Sequence, residues 1–452
     1  MKKNLLYVFA DQWRYHAIGT AHEDYVQTPN MDKFCASSLS FTNAISTYPL
    51  CSPHRAALLT GKYPLSCGFW TNCKTGLPIS PTLAPQEITL GEILKENGYD
   101  TAYIGKWHLD SSDLNFYPHP KAGTVNWDAY TPQGERRHGF DFWHSYGAMD
   151  NHLQPHYFEN SPQKLVYDQW SPTHEREVLE HYLDNVWNKE KPFAAVLSWN
   201  PPHPPYDLVP DEFKPLYDHD HKYRPNVPEE MKSDPAYVKK FTEYYAAITG
   251  LDKEFGILID YLKAHDLYDN TTIVLSADHG DCMGSHGLYG KNIWYEESIR
   301  IPLYIHDKDL ESGKKENLVE SCDHLPTVLD LLGITPPETV EGVSALTSDK
   351  EYAYLCMLPG MPELVEPYTQ RGLDSKCFGW RGLRSKEFTY VIDNGTKPGA
   401  EQKRYLYDNI NDKYQMNPKV LKKDDPICQK LDPILKGYCK AQKDYFLFDR
   451  EV

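Results

Sequence analysis

The chain has 452 residues and a formal net charge of −17, with 40% hydrophobic, 25% charged and 13% aromatic residues. That balance is the balance of a folded, core-forming protein, long enough for two or three domains or one large α/β unit. An acidic chain without a Lys/Arg-rich run excludes a nucleic-acid partner, and without eighteen consecutive apolar residues no membrane span is expected.

In chain order, residues 4–10 read as a buried first strand. The apolar run after Met1-Lys2-Lys3 is too short for the core of a signal peptide, and Asp11 follows at once. A cytoplasmic location is therefore expected, in line with ten scattered cysteines that lack paired metal-ligand spacing and read as reduced thiols. Residues 89–97 read as a helix, and 101–104 as a strand ending at Gly105-Lys106-Trp107-His108. The strand 193–199 runs into Pro201-Pro202-His203. Residues 206–235, rich in Pro, Asp and His, read as a long surface excursion near the active site. Residues 237–265 give the longest helical pattern, 271–276 a strand leading to Asp278-His279-Gly280, and 325–332 a helix. Strands alternating with helices predict an α/β fold, a mostly parallel sheet covered on both sides, with its chemistry at the C-terminal strand ends. We expect this catalytic domain over residues 1–365. The C-terminal part, with short strands at 388–393 and 404–407, is expected to form a small antiparallel subdomain with a terminal helix over residues 366–452.

The most specific motif is Cys51-Ser52-Pro53-His54-Arg55, followed by Thr60-Gly61. At background frequencies a chain with this many cysteines shows the five-point pattern by chance roughly once in ten thousand. It resembles the signature of the sulfatase family, which maturation enzymes read to convert the cysteine into Cα-formylglycine. The resemblance implies an alkaline-phosphatase-like fold and a maturation enzyme as partner. Formylglycine explains itself chemically. A hydrated aldehyde has two hydroxyls: one attacks sulfur, and the other expels the sulfate afterwards, which an ordinary serine or cysteine cannot do. Cys51 is expected in a reactive loop ahead of a helix.

Carried over residue by residue, the resemblance implies a divalent metal held by Asp11, Gln12, Asp278, His279 and the residue at position 51. The family more often shows Asp-Asp and Asp-Asn at these two pairs. The oxygen donors fit Ca2+, while the His279 nitrogen leaves Mn2+ and Zn2+ open. Gly105-Lys106-Trp107-His108 resembles the motif whose lysine binds sulfate and whose histidine contacts the formylglycine hydroxyls. Lys291 resembles the second sulfate-binding lysine, His203 the histidine near the leaving oxygen, and Arg55 the arginine that fixes formylglycine and sulfate. Their positive charges answer the acidic net charge locally. His108 is assigned as the base of the sulfate-releasing step, and His203, with Lys291 nearby, as the acid of the first.

The implied activity is hydrolysis of a sulfate ester, of a small molecule or, as the aromatic content and Trp13, Trp70 and Trp107 favour, of a saccharide. A phosphonate monoester or phosphodiester hydrolase of the same superfamily is the alternative, since a phosphate diester carries the same single negative charge. A catalytically dead binding protein is a further one, disfavoured because every expected catalytic position is occupied.

Overall fold

The computed structural model describes residues 2–77, 79–110, 127–217 and 221–449. Among these the central sheet has strands β1 (Asn4–Asp11), β2 (Leu39–Ile45), β3 (Asp100–Lys106), β4 (Phe142–Tyr146), β5 (Phe193–Pro202), β6 (Thr271–Ala277), β7 (Arg300–Ile301), β8 (Leu303–His306) and β9 (Gly313–Glu320). The order across the sheet is β9-β2-β8-β6-β1-β5-β3-β4, with β7 against β2. Strands β6, β1, β5, β3 and β4 pair in parallel, whereas β8 runs antiparallel to both β6 and β2. The expected α/β architecture is therefore present. Strand β1 is buried along its whole length. That is why its sequence is a nearly unbroken apolar run rather than an alternating one.

Helices α1 (Pro29–Ala36), α2 (Cys51–Thr60), α3 (Leu90–Glu96), α4 (Ser171–His181), α5 (Pro235–Ala264) and α6 (His324–Leu331) flank the sheet. Their starts are written in the sequence. Thr89 and Glu92 form a reciprocal capping box at α3, and Asp234 accepts from Ala236 N at 3.0 Å before Pro235 opens α5. Residues 206–235 differ from the expected surface excursion. Val209, Phe213, Tyr217, Arg224, Asn226 and Val227 are buried, and Arg224 pairs with Asp24 and Glu297. Residues 218–220 of that stretch lie outside the described residues.

A second, antiparallel sheet takes β10 (Ala353–Met357), β11 (Trp380–Arg384), β12 (Phe388–Asp393), β13 (Lys403–Asp408) and β14 (Lys419–Leu421) in chain order, followed by α7 (Pro426–Ala441). Its first strand thus comes from before residue 366. The fully buried β10 carries none of the alternation that marks an exposed antiparallel strand. This sheet shares a core with Ile45, Tyr48 and Leu50, so it braces the segment that leads into Cys51. No described helix is long and apolar enough to cross a membrane.

Candidate active site

Parallel register brings the strand ends level. Ala10 of β1 pairs with Trp199 of β5 and with Ala277 of β6, so Asp11, His203 and Asp278 emerge at one edge of the sheet. The backbone there is tight. At Gly105, φ is +96° and an added Cβ would stand 2.2 Å from the Ser198 carbonyl oxygen, so only glycine lets β3 deliver Lys106 beside β5. Gln12 (φ 66°) and His108 (φ 52°) both hold left-handed conformations. Each costs about 1–3 kcal/mol, a strain typical of functional sites.

Cys51 is the first residue of α2, not part of a loop, and it is only 1% exposed. Arg55 lies one turn on, which is what the four-residue spacing of the motif achieves: residues i and i+4 share a helix face. Gly61 then ends α2 in the left-handed conformation, its N–H donating to Ala57 O. The Cys51 Sγ faces Asp11 Oδ1 at 3.6 Å, His279 Nε2 at 3.4 Å and Lys291 Nζ at 3.4 Å. Burial and Asp11 would raise the thiol, but Lys291, Lys106 and His279 hold it well below its usual pKa.

Asp11, Cys51, Asp278 and His279 place one ligand atom each within 4.8 Å of one another, all buried. His279 Nδ1–H donates to Gly280 O at 3.0 Å, which leaves the Nε2 lone pair toward both carboxylates, at 3.6 Å from Asp11 and 3.5 Å from Asp278. Burial and the nearby Asp11 push Asp278 up to about 6. Two acids and an imidazole lone pair turned toward them in a buried pocket fit a divalent cation. The fifth expected ligand, Gln12, is adjacent: its Oε1 accepts from Lys291 Nζ at 2.6 Å and its Nε2 donates to Asp281.

The Arg55 guanidinium is turned to these carboxylates. It donates to Asp278 Oδ2 at 3.2 Å and Asp11 Oδ2 at 3.1 Å, and also to Lys106 O and Ser198 Oγ, both at 2.7 Å. Its donors are thus engaged with the protein, and its charge reaches Cys51 through space. Lys106 Nζ lies 2.7 Å from Asp11 Oδ2 and 3.0 Å from Asn200 Oδ1. For His108, burial lowers the imidazole below its usual pKa, opposed by Cys51, and Nδ1 has no hydrogen-bond partner among the described residues. His203 Nδ1–H donates to Pro204 O at 2.7 Å, so Nε2 is the free nitrogen. Burial, then Lys291 and Lys106, hold this imidazole well below its usual pKa. The structure therefore gathers the candidate catalytic and metal-binding residues of the sequence reading at one edge of the sheet: a nucleophile position, a cation site and a set of lysines and histidines able to hold an oxyanion and move protons.

The sulfatase family model matches residues 3–334. This chain belongs to the sulfatase family. The sulfatase is 34% identical to an endo-4-O-sulfatase of Bacteroides thetaiotaomicron, over 95% of this chain and 90% of the relative. It is 33% identical to a ulvan-active sulfatase of Formosa agariphila, over 92% of this chain and 76% of that one. A solved Bacteroides thetaiotaomicron structure, described with the metabolism of multiple glycosaminoglycans, aligns at a TM-score of 0.87 and 32% identity, covering 98% of both chains. The protein is a sulfuric ester hydrolase of alkaline-phosphatase-like fold, and its family implies a divalent metal and formylglycine.

Sequence reasoning missed several residues of this sulfatase's site. Asp281 accepts from Gln12 Nε2, Tyr206 OH, Met283 N and Gly290 N, fixing both Gln12 and the loop that carries Lys291. Its place three residues after Asp278 was the available signal. Asn200 and Ser198, on β5 before His203, hold Lys106 and Arg55. His152 Nε2–H donates to His203 O at 2.8 Å, and no local pattern marks it. Conversely, two of the three tryptophans expected beside the substrate are core residues: Trp13 is 0% and Trp107 1% exposed, the latter packed among Tyr103, Phe140 and Trp143. Trp70 is part-buried with Lys376 over its ring. Trp127 is an aromatic ring beside the site, edge-on to His108 at 6.0 Å and covered by Lys74 Nζ at 4.3 Å.

Proposed function

We propose that this sulfatase removes sulfate from a saccharide, through formylglycine formed at Cys51 and with Ca2+ held by Asp11, Gln12, Asp278, His279 and the residue at 51. The observation that carries the saccharide reading is His203, part-exposed at the end of β5 with Nε2 free. An aryl leaving group needs no acid, whereas a sugar alkoxide does. The names of the two relatives, an endo-4-O-sulfatase and a ulvan-active sulfatase, support the same substrate class. A panel of defined sulfated saccharides, run beside nitrophenyl sulfate and an aryl phosphodiester, tests the reading. We expect at least one sugar sulfate to be cleaved, and the phosphodiester to lag the best sulfate in kcat/KM by about 10²-fold or more. Phosphodiester turnover matching the best sulfate, or no turnover of any sugar, overturns it.

When bound, the cation lowers the pKa of the attacking hydroxyl and offsets charge on the sulfate oxygens. The chain's own groups do the rest. Lys106 and Lys291 cradle the sulfate, Arg55 locks the Asp11 and Asp278 carboxylates together, His203 protonates the leaving oxygen, and His108 accepts a proton at the Cys51 position. Conversion of Cys51 requires access for a maturation enzyme, and all of α2 is buried. That enzyme therefore acts on the chain before the fold closes.

The oxygen-rich donor set supports Ca2+. Stripping the protein with a chelator is expected to lower both the melting temperature and the activity, with Ca2+ restoring both at least as well as Zn2+. Recovery of melting temperature with Zn2+ but not with Ca2+ would reassign the metal, independently of turnover.

A further inference from the structure

The loop after β4 is pinned to the site on both sides of one acidic residue. The Met149 carbonyl accepts from Asn200 Nδ2, the same Asn200 that binds Lys106, and the buried His152 donates to the His203 carbonyl at 2.8 Å. Between these anchors stands Asp150, its side chain 56% exposed, with Oδ1 3.8 Å from His203 Nδ1. That nitrogen already donates to Pro204 O, so the 3.8 Å approach is not a hydrogen bond. The Asp150 carboxylate has no hydrogen-bond partner among the described residues, and its side chain is exposed beside His203. Partial burial raises its carboxyl above the usual range, and Lys106, His108 and Lys291 oppose that shift, which places Asp150 within reach of their charge.

A carboxylate is a poor neighbour for an anion cradle. It repels the sulfate that the lysines attract, and neither the metal set nor the Arg55 network uses it. What an ionised carboxylate does is accept hydrogen bonds, strongly and from several donors. The substrate atoms that come closest to His203 are the leaving oxygen and the ring carbons next to it. On a sugar these carbons bear hydroxyls.

Resting on the saccharide reading above, we propose that Asp150 selects the sugar: its carboxylate accepts a hydrogen bond from a neutral hydroxyl next to the sulfated carbon, and it repels rings bearing a carboxylate there. The substrate class is then a sulfated neutral sugar, a hexose or N-acetylhexosamine unit, and not a sulfated uronic acid. A site built to pair with a hydroxyl discriminates strongly, because its polar group is left unpaired when that hydroxyl is missing.

The test compares wild type, Asp150→Ala and Asp150→Asn on four substrates: a neutral sugar sulfate, its analogue deoxygenated next to the sulfate, a uronate sulfate, and nitrophenyl sulfate as reference. Asp150→Ala is expected to lower the sugar-to-aryl ratio of kcat/KM by about 10²-fold or more. Deoxygenation should cost wild type a similar factor and Asp150→Ala little, the non-additivity of two partners in one contact. Asp150→Asn, which keeps the shape without the charge, should shift the ratio of uronate sulfate to neutral sugar sulfate upward by about 10-fold or more. Deoxygenation costing both enzymes equally overturns the proposal and leaves Asp150 as a partner of His203 alone. A sugar-to-aryl ratio unchanged in Asp150→Ala also overturns it. Wild type that cleaves nitrophenyl sulfate but no sugar removes the saccharide reading and this proposal together, so the two failures are told apart.

Discussion

Cys51→Ala is expected to lower turnover of every sulfate ester by about 10⁴-fold or more, the scale of loss when a covalent nucleophile is deleted. The surroundings of Cys51 make this specific to chemistry. Its Sγ touches Asp11, His279 and Lys291, polar groups that the neighbouring network of Arg55, Lys106, Gln12 and Asp278 also holds. Removing one sulfur from a polar pocket leaves that network in place, and the helix keeps its flanking caps, Leu50 and Gly61. Alanine also has the better helix propensity. The melting temperature should therefore move by only a few degrees, corresponding to about 1 kcal/mol. The wild-type peptide containing residue 51 is expected to weigh about 18 Da less after maturation, the mass difference between cysteine and formylglycine. Activity retained in Cys51→Ala, with the substitution confirmed by mass, would dismiss the formylglycine reading.

How far the sequence carried this picture depends on where each residue's information lies. Cys51 and Arg55 were legible because one helical turn joins them, and Lys106, His203 and Asp278 because each follows an apolar run that had to be a buried strand. Strand β8 was not legible. Four residues are too few to show a period, yet this strand supplies the antiparallel step between β6 and β2. Trp107 illustrates a different limit: it sits next to Lys106 in sequence, but successive side chains at a strand end point to opposite faces, so Lys106 reaches Asp11 and Asn200 while Trp107 packs in the core. Asp150 and His152 sit in a loop pinned by Asn200 and by the backbone of His203, contacts about fifty residues apart in the chain that no local motif encodes.

His203→Ala is expected to divide substrates by leaving group. On a sugar sulfate kcat/KM should fall by roughly 10²-fold or more, whereas the loss on nitrophenyl sulfate should be far smaller, because nitrophenolate leaves without a proton and an alkoxide does not. The geometry suits this proposed acid role. Its Nδ1–H is committed to the Pro204 carbonyl, which orients the ring and leaves Nε2 as the site of protonation. Burial, with Lys291 and Lys106 nearby, holds the imidazole well below its usual pKa. An arriving sulfate cancels part of the lysines' field, and that raises the imidazole pKa where the acid is needed. A series of sulfate esters with graded leaving groups should accordingly show a steeper dependence on leaving-group pKa in His203→Ala than in wild type. His108 lies at the Cys51 end of the site, and in the role proposed for it His108→Ala should impair good and poor leaving groups alike. Equal losses across the series for His203→Ala, with a steepened dependence for His108→Ala, would exchange the two assignments.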